Sequence, residues 1–286
     1  MAGTALDNWP VGLSTGCFYQ RGILDWLEPI RGAGFSRIEV CSFPRHLDYH
    51  DRAACERAAA RIRELAITPE SFHAPFAETI DITAPDSGER QSALAELLRA
   101  AEAAAALGAR HFVIHPGPEK SGLPHHERLG RMENAVGVLD RVAARCRELG
   151  ISLLLENMLP HLFSGAVRDL LWLLGAMQAT DVGVCLDTGH AFLSGDLLEV
   201  VHKLSGHLRM VHASDNRRTF DDHLPPGEGD IPWPLLWRQL DTSGFRGAVI
   251  LEIAGKGSPE EILAGAQRAR AFLQRVAVGE PADARH

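Results

Sequence analysis

Along the chain, short runs rich in Val, Ile and Leu alternate with longer stretches whose apolar positions recur every three or four residues. The runs fall at residues 11–14, 37–40, 67–72, 111–114, 151–155, 182–186, 208–211 and 248–251. They are only about four to six residues long and show little polar alternation, the pattern of strands buried on both faces. The longer stretches, among them 52–65, 92–107, 127–149 and 259–275, carry helical spacing. Their stops are written in glycine: the alanine-rich run ends at Gly108, Glu148-Leu149 is followed by Gly150, and Gly32-Ala33-Gly34 closes the first helix.

Each of the eight strand-like runs precedes a helix-like stretch. The repeat is roughly 34 residues, close to the ~30 that one strand–helix unit requires. Eight such units in 286 residues predict an α/β fold, a single (β/α)8 TIM barrel. The competing open, doubly wound sheet calls for a Gly-x-Gly-x-x-Gly turn after its first strand, and the stretch from Gly12 to Gly16 does not supply one. No linker divides the chain, so one domain is expected over residues 1–286, with the barrel at about 11–277 and an irregular tail at 279–286.

Composition narrows the classes. With 45% hydrophobic and 23% charged residues the chain is not a disordered one. Its longest apolar stretches, such as 170–174, fall far short of the ~20 residues of a membrane span. A net charge of −8 speaks against a nucleic-acid partner, which usually leaves a basic footprint. Residues 1–11 have neither a basic nor an apolar leader segment, so the expected location is cytoplasmic. Cys17, Cys41, Cys55, Cys146 and Cys185 are odd in number and widely spaced, which reads as reduced thiols with no disulfide frame and no thiolate metal site.

The candidate chemistry lies where the strands are expected to end, the face on which such barrels carry their sites. Those positions hold Glu39, His73, His115, Glu156, Asp187 with His190, His212 and Glu252. A single His or Asp after a strand is commonly a cap or a turn residue. Seven consecutive strand ends with a carboxylate or an imidazole are instead a ligand set for a divalent ion. Glu156 and Glu252 weigh most, because each closes an apolar run and a buried carboxylate needs a cation or hydrogen-bond donors. Together with Asp187 and His212 they make a mixed oxygen and nitrogen site. Asp221 and His223, on the long loop after the seventh strand, either reach this site or belong to a Pro/Gly-stiffened surface loop. Phe18 and Phe76 either wall a substrate or pack in the core, and Trp172, Trp233 and Trp237 read as packing.

These strings resemble the xylose isomerase-like (AP endonuclease family 2) TIM-barrel superfamily, and within it the sugar phosphate isomerase/epimerase branch, over roughly residues 11–272. The most specific are Leu186-Asp187-Thr188-Gly189-His190, Val211-His212 with Asp215-Asn216, and the stretch from His223 to Gly229; Leu155-Glu156-Asn157 and His115-Pro116-Gly117 are supportive. The resemblance implies a divalent ion, Mn2+ or Zn2+ before Mg2+ or Co2+, held by Glu156, Asp187, His212 and Glu252. It implies a small carbohydrate substrate, contacted by His190 and by Arg217 or Arg218, and proton transfer between Glu156 and Glu252 through a metal-stabilised enediolate. A same-fold dehydratase is one alternative. The other is the superfamily's multi-zinc endonuclease, whose nine ligand types match His73, His115 and Glu156; Asp187, His212 and Glu252; and His190, Asp221 and His223. The flanking strings differ from that class: Ala74-Pro75-Phe76 follows the first His, and Ala213-Ser214-Asp215-Asn216 follows the seventh-strand His.

Overall fold

The computed structural model describes residues 9–279. Eight strands run in sequential order: β1 (Val11–Ser14), β2 (Arg37–Cys41), β3 (Thr68–His73), β4 (His111–Ile114), β5 (Ser152–Glu156), β6 (Gly183–Asp187), β7 (Leu208–Ala213) and β8 (Ala248–Leu251). All neighbours pair in parallel, and β8 pairs back onto β1 to close the cylinder. Helices α1 (Leu27–Gly32), α2 (Arg52–Glu64), α3 (Ser87–Leu107), α4 (Arg128–Leu149), α5 (Val167–Ala176), α6 (Thr188–Leu193), α7 (Leu197–Leu204), α8 (Trp233–Thr242) and α9 (Pro259–Ala277) follow the strands. The fold is a single (β/α)8 barrel. Beyond Gly279 the expected irregular tail lies outside the described residues. No helix among the described residues is long and apolar enough to cross a membrane.

Both faces of each strand are buried, as the apolar runs require, but the two faces differ. Outward residues such as Ile38, Val40, Phe72, Phe112, Leu155, Leu186 and Val211 join the layer beneath the helices. The inward residues alternate with them. Toward one end Val113, Leu154, Cys185, Met210, Ala248 and Ile250 form a separate apolar plug inside the cylinder. Two residues further along, the same inward rows carry Glu156, Asp187, His212 and Glu252. The plug therefore floors a polar chamber at the C-terminal ends of the strands.

The strands run further than their apolar stretches. His73, Glu156 and Asp187 are the last residues of their strands and His212 lies inside β7, with Asp187 in register with His212 and Glu156 with Cys185. The site residues expected just past the strands are thus mostly held on the paired backbone, where a polar side chain had disguised a strand position. Glu39 lies deeper still, in the middle of β2. Helix α3 starts five residues earlier than the spacing suggests, because Asp86 caps it through the Glu89 amide at 2.9 Å. At β2–β3 the register shifts by one residue next to Pro69, which has no N–H for the ladder, and this brings Ser71 opposite Glu39. All five cysteines are free and buried, and Trp233 and Trp237 are core residues, whereas Trp172 is exposed on α5.

Candidate metal centre

Three groups of side chains meet at the mouth of the barrel: Glu156, Asp187, His212 and Glu252; His73, His115 and Glu156; and His190, Asp221 and His223. Within each group the potential ligand atoms lie within 4.8 Å of one another. Glu156 joins two of the groups through different oxygens. Its Oε2 faces His73 Nε2 at 3.3 Å and His115 Nε2 at 3.5 Å, while its Oε1 faces His212 Nδ1 at 3.3 Å. Glu252 Oε2 lies 3.0 Å from the same His212 nitrogen. Asp221 Oδ2 lies between His190 Nε2 and His223 Nε2, at 3.2 and 3.0 Å.

The far nitrogen of four of the five rings is already committed. His73 Nδ1 donates to the Ala74 carbonyl at 2.9 Å, His190 Nδ1 to that of Asn157 at 2.8 Å, and His223 Nδ1 to that of Glu252 at 2.9 Å. His212 Nε2 donates to Glu39 at 2.8 Å, and His115 Nδ1 is 3.0 Å from Glu119. A carbonyl accepts only, so the nitrogen facing it carries the hydrogen. In a neutral ring the opposite nitrogen then presents a lone pair to the carboxylates, the arrangement a metal ligand needs.

Local structure explains these placements. Asp187 ends β6 and caps α6, its Oδ1 accepting from the His190 amide at 2.6 Å, so Oδ2 is left for the chamber. The Asn157 side chain clamps the Asp187 backbone on both sides, at 2.8 and 3.0 Å. Gly189 is required here, because a Cβ would sit 2.6 Å from Ser214 Oγ. The loop after β7 is organised by Asp215. Its carboxylate accepts from the amides of Asn216, Gly227 and Ile231 and from Trp233 Nε1, and its backbone exchanges two 2.8 Å hydrogen bonds with Leu224. His223 is thereby held with φ 48°, a left-handed conformation that costs a non-glycine residue about 1–3 kcal/mol.

The charge balance without a cation is lopsided. Burial alone would lower the histidine pKa values, but the carboxylates override it. His115 is pushed up to about 9 by Glu119 and Glu156, His223 to about 10 by Asp221 and Glu252, and His190 and His212 well above the ordinary range. Burial raises Asp187 to about 6 despite His190, with Glu252 and Glu156 adding to it; Glu252 is drawn down to about 2 against burial, chiefly by His212. Each member of the four-residue group keeps one buried atom without a hydrogen-bond partner: Glu156 Oε2, Asp187 Oδ2, His212 Nδ1 and Glu252 Oε2. Such orphans cost roughly 1–3 kcal/mol each, and more when charged. A divalent cation in the four-residue group would satisfy Asp187 Oδ2, His212 Nδ1 and Glu252 Oε2 together, whereas Glu156 Oε2 faces His73 and His115; the oxygen and nitrogen donor set suits Mn2+, Zn2+ or Co2+.

A cavity of about 380 Å³ opens over the groups. Phe76, Met158, Leu159 and Leu162 form its apolar wall, and Glu119, His161 and Glu252 contribute polar edges. Phe76 packs against both His73 and His115. Phe18 stacks on Trp26 at 4.4 Å and is not among the lining residues. Arg217 donates to the Glu228 carbonyl; Arg218 reaches the Gly195 carbonyl and lies over the Phe192 ring, so neither lines the cavity. Asn157 and Asp215 stood in the resembling strings without a role assigned to them, and Glu119 had carried no sequence signal of a site role. Glu39 had one: like Glu156, it is a carboxylate inside an apolar run.

A closed eightfold barrel with a carboxylate and histidine cluster at its C-terminal mouth defines a TIM barrel with a candidate metal centre. The chain belongs to the xylose isomerase-like TIM barrel family, whose match spans residues 27–276. It is 32% identical over 191 residues to an uncharacterized protein of Methanocaldococcus jannaschii, covering 63% of this chain and 62% of that protein. It is 26% identical to a ketose 3-epimerase of Arthrobacter globiformis, over 83% of this chain and 80% of that one. It is also 26% identical to a probable endonuclease 4 of Mycobacterium leprae, over 74% and 83%. Among solved structures, a D-tagatose 3-epimerase-like protein superposes with a TM-score of 0.81 at 23% identity, covering 94% of this chain and 98% of that one. The IOLI protein, solved with a zinc atom, superposes at 0.78 with 17% identity over 93% and 98%.

Proposed function

We propose that the protein is a divalent-metal-dependent isomerase or epimerase of an unphosphorylated sugar. The observation that carries this reading is the pair Glu156 and Glu252. They come from β5 and from the exit of β8, share the ligand group of Asp187 and His212, and both line one cavity. Moving a proton next to a carbonyl needs a base to take it and an acid to return it, and two carboxylates that approach from different strands suit those roles. A bound divalent ion supplies Lewis-acid stabilisation of the negative charge that develops on the carbonyl oxygen. Glu252, whose side chain is 22% exposed, is the more open of the two, whereas Glu156 is enclosed at 1%. The apolar wall keeps water from the reacting carbon, and His161 offers a hydrogen bond to a hydroxyl group.

The cavity volume falls in the range of small-ligand sites. No Lys or Arg is among its lining residues, which favours a neutral sugar over a phosphate ester. The ketose 3-epimerase relative supports the same class. One observation favours a second reading, metal-assisted phosphodiester hydrolysis: the two further groups around His73 and His223 would let several ions share one substrate, and the endonuclease 4 relative points the same way.

Chelated and metal-reloaded protein, incubated with a panel of ketoses in deuterated water, tests the choice. The expected result is exchange of the proton beside the carbonyl on at least one ketose, lost on chelation and restored by Mn2+ or Zn2+. Incision of an abasic-site duplex without such exchange would replace this reading by the second. Absence of exchange across the panel with every metal would overturn it.

A further inference from the structure

Of the five site histidines, three rest their far nitrogen on a backbone carbonyl, and His115 faces Glu119, whose side chain is 40% exposed. His212 alone is anchored by a carboxylate with no exposure at all, Glu39. Glu39 belongs to none of the three ligand groups. Its oxygens are otherwise taken by two serines that stand beside it in register on the neighbouring strands: Ser14 of β1 donates to Oε1 at 3.0 Å and Ser71 of β3 to Oε2 at 2.8 Å. The register shift beside Pro69 is what puts Ser71 there.

This is an expensive way to fill a barrel interior. Among the described residues Glu39 has no lysine or arginine partner, and it adds a carboxylate to a chamber that already holds Glu156, Asp187 and Glu252. Apolar residues of similar volume generally substitute for such buried ionic groups without loss of stability. The group its placement serves is His212. A hydrogen bond to Glu39 puts the ring hydrogen on Nε2 and leaves Nδ1 facing Glu156 and Glu252, at 3.3 and 3.0 Å. A carboxylate behind a ligand ring also makes that ring a stronger donor to a cation.

We propose that Glu39 is the positioning residue of the four-residue ligand group: it fixes the tautomer and orientation of His212 and so sets the affinity for the ion that Glu156, Asp187, His212 and Glu252 hold. This rests on the metal reading of the site but not on which sugar, or which reaction, the protein serves. Glu39→Gln keeps an acceptor for the ring hydrogen and removes the charge, Glu39→Ala removes both, and Glu39→Asp keeps the charge and draws it back by one methylene.

The test is competition for Zn2+ and Mn2+ between a chromophoric chelator and the full chain, with nitrogen-15 spectra of the His212 ring read on the metal-free protein at a pH high enough for the ring to be neutral. The expected result is a 10–100-fold loss of affinity for one ion in Glu39→Gln, a larger loss in Glu39→Ala and a smaller one in Glu39→Asp. The His212 ring should carry its hydrogen on Nε2 in the unaltered protein and become a mixture of tautomers in Glu39→Ala. If Glu39→Gln fails to fold, the Glu39→Asp affinity and the wild-type tautomer still decide. Ion affinity unchanged within threefold across the folded variants would reduce Glu39 to a structural role, and hydrogen on Nδ1 in the wild type would overturn the proposal outright. Failure of the unaltered chain to bind any ion would refute the metal reading and this proposal together, whereas failure of the ketose exchange alone would leave it standing.

Discussion

A histidine ring has two nitrogens, and at this site each ring has one facing a fixed acceptor and one facing a carboxylate. That division separates the candidate ligands from histidines that merely fill space. His46, for contrast, points Nδ1 at the Arg21 carbonyl with no carboxylate opposite, and burial lowers its pKa. The carboxylates carry the other half of the chemistry. Glu156→Gln and Glu252→Gln keep nearly the same volume and lose the charge that accepts a proton. Each is expected to slow ketose proton exchange by roughly 10²–10⁴-fold while excess metal still binds. Exchange followed by NMR, with metal content measured alongside, checks this. More than a tenth of the wild-type rate in either variant would remove that residue from proton transfer.

Among the elements, the strands were read easily and the loop after β7 was not. An apolar run of four to six residues between helical stretches is a strong local signal, and it located all eight strands to within one or two residues. The helix-like stretches after the fifth, sixth and seventh strands were expected without bounds, because helices as short as α5 to α8 cannot display a long periodicity. The loop after β7 read equally as a surface turn, because its order comes from one side chain: Asp215 gathers four donors and so places Asp221 and His223. Asp215→Ala would strand those donors, and Gly229→Ala would drive a methyl group into the Asp215 carboxylate. Both are expected to cost about 2–4 kcal/mol of stability and to weaken any ion binding at His190, Asp221 and His223, with the four-residue group intact. Urea denaturation together with counting of bound ions tests this. Equal loss of ions from every group would mean that the loop supports the whole mouth.

Closure of the barrel concentrates ionisable groups at one end, and this gives the whole molecule a pH signature. In the metal-free protein His115 and His223 have pKa values of about 9 and 10, above the ~6.5 of an unfolded chain. A raised histidine pKa contributes stability that is fully present below the unfolded value and is lost as pH rises through the folded one. His46 and His111, lowered by burial, act with the opposite sign but only below about pH 6.5. The melting temperature of the chelated protein should therefore fall between pH 7 and 10. Metal binding needs deprotonated rings, so the stabilisation added by saturating Zn2+ or Mn2+ should grow over the same range. Parallel thermal melts with and without metal decide this. A flat metal-free profile would mean that the imidazoles are neutral already.

The sequence by itself determined the number and order of the strands, the barrel they imply, and which residue types stand near the strand ends, because all of these follow from local periodicity and from residues adjacent in the chain. It also marked Glu156 and Glu252, since a carboxylate closing an apolar run is visible without a structure. Only the tertiary structure decided which carboxylate meets which ring. Glu39 and His212 are 173 positions apart and come together because β2 and β7 both point inward in a closed cylinder. The serines that hold Glu39, the turn of Arg217 and Arg218 away from the cavity, and the three-way division of the ligands depend on strand register and on loop packing against distant elements. No window of neighbouring residues contains those distances.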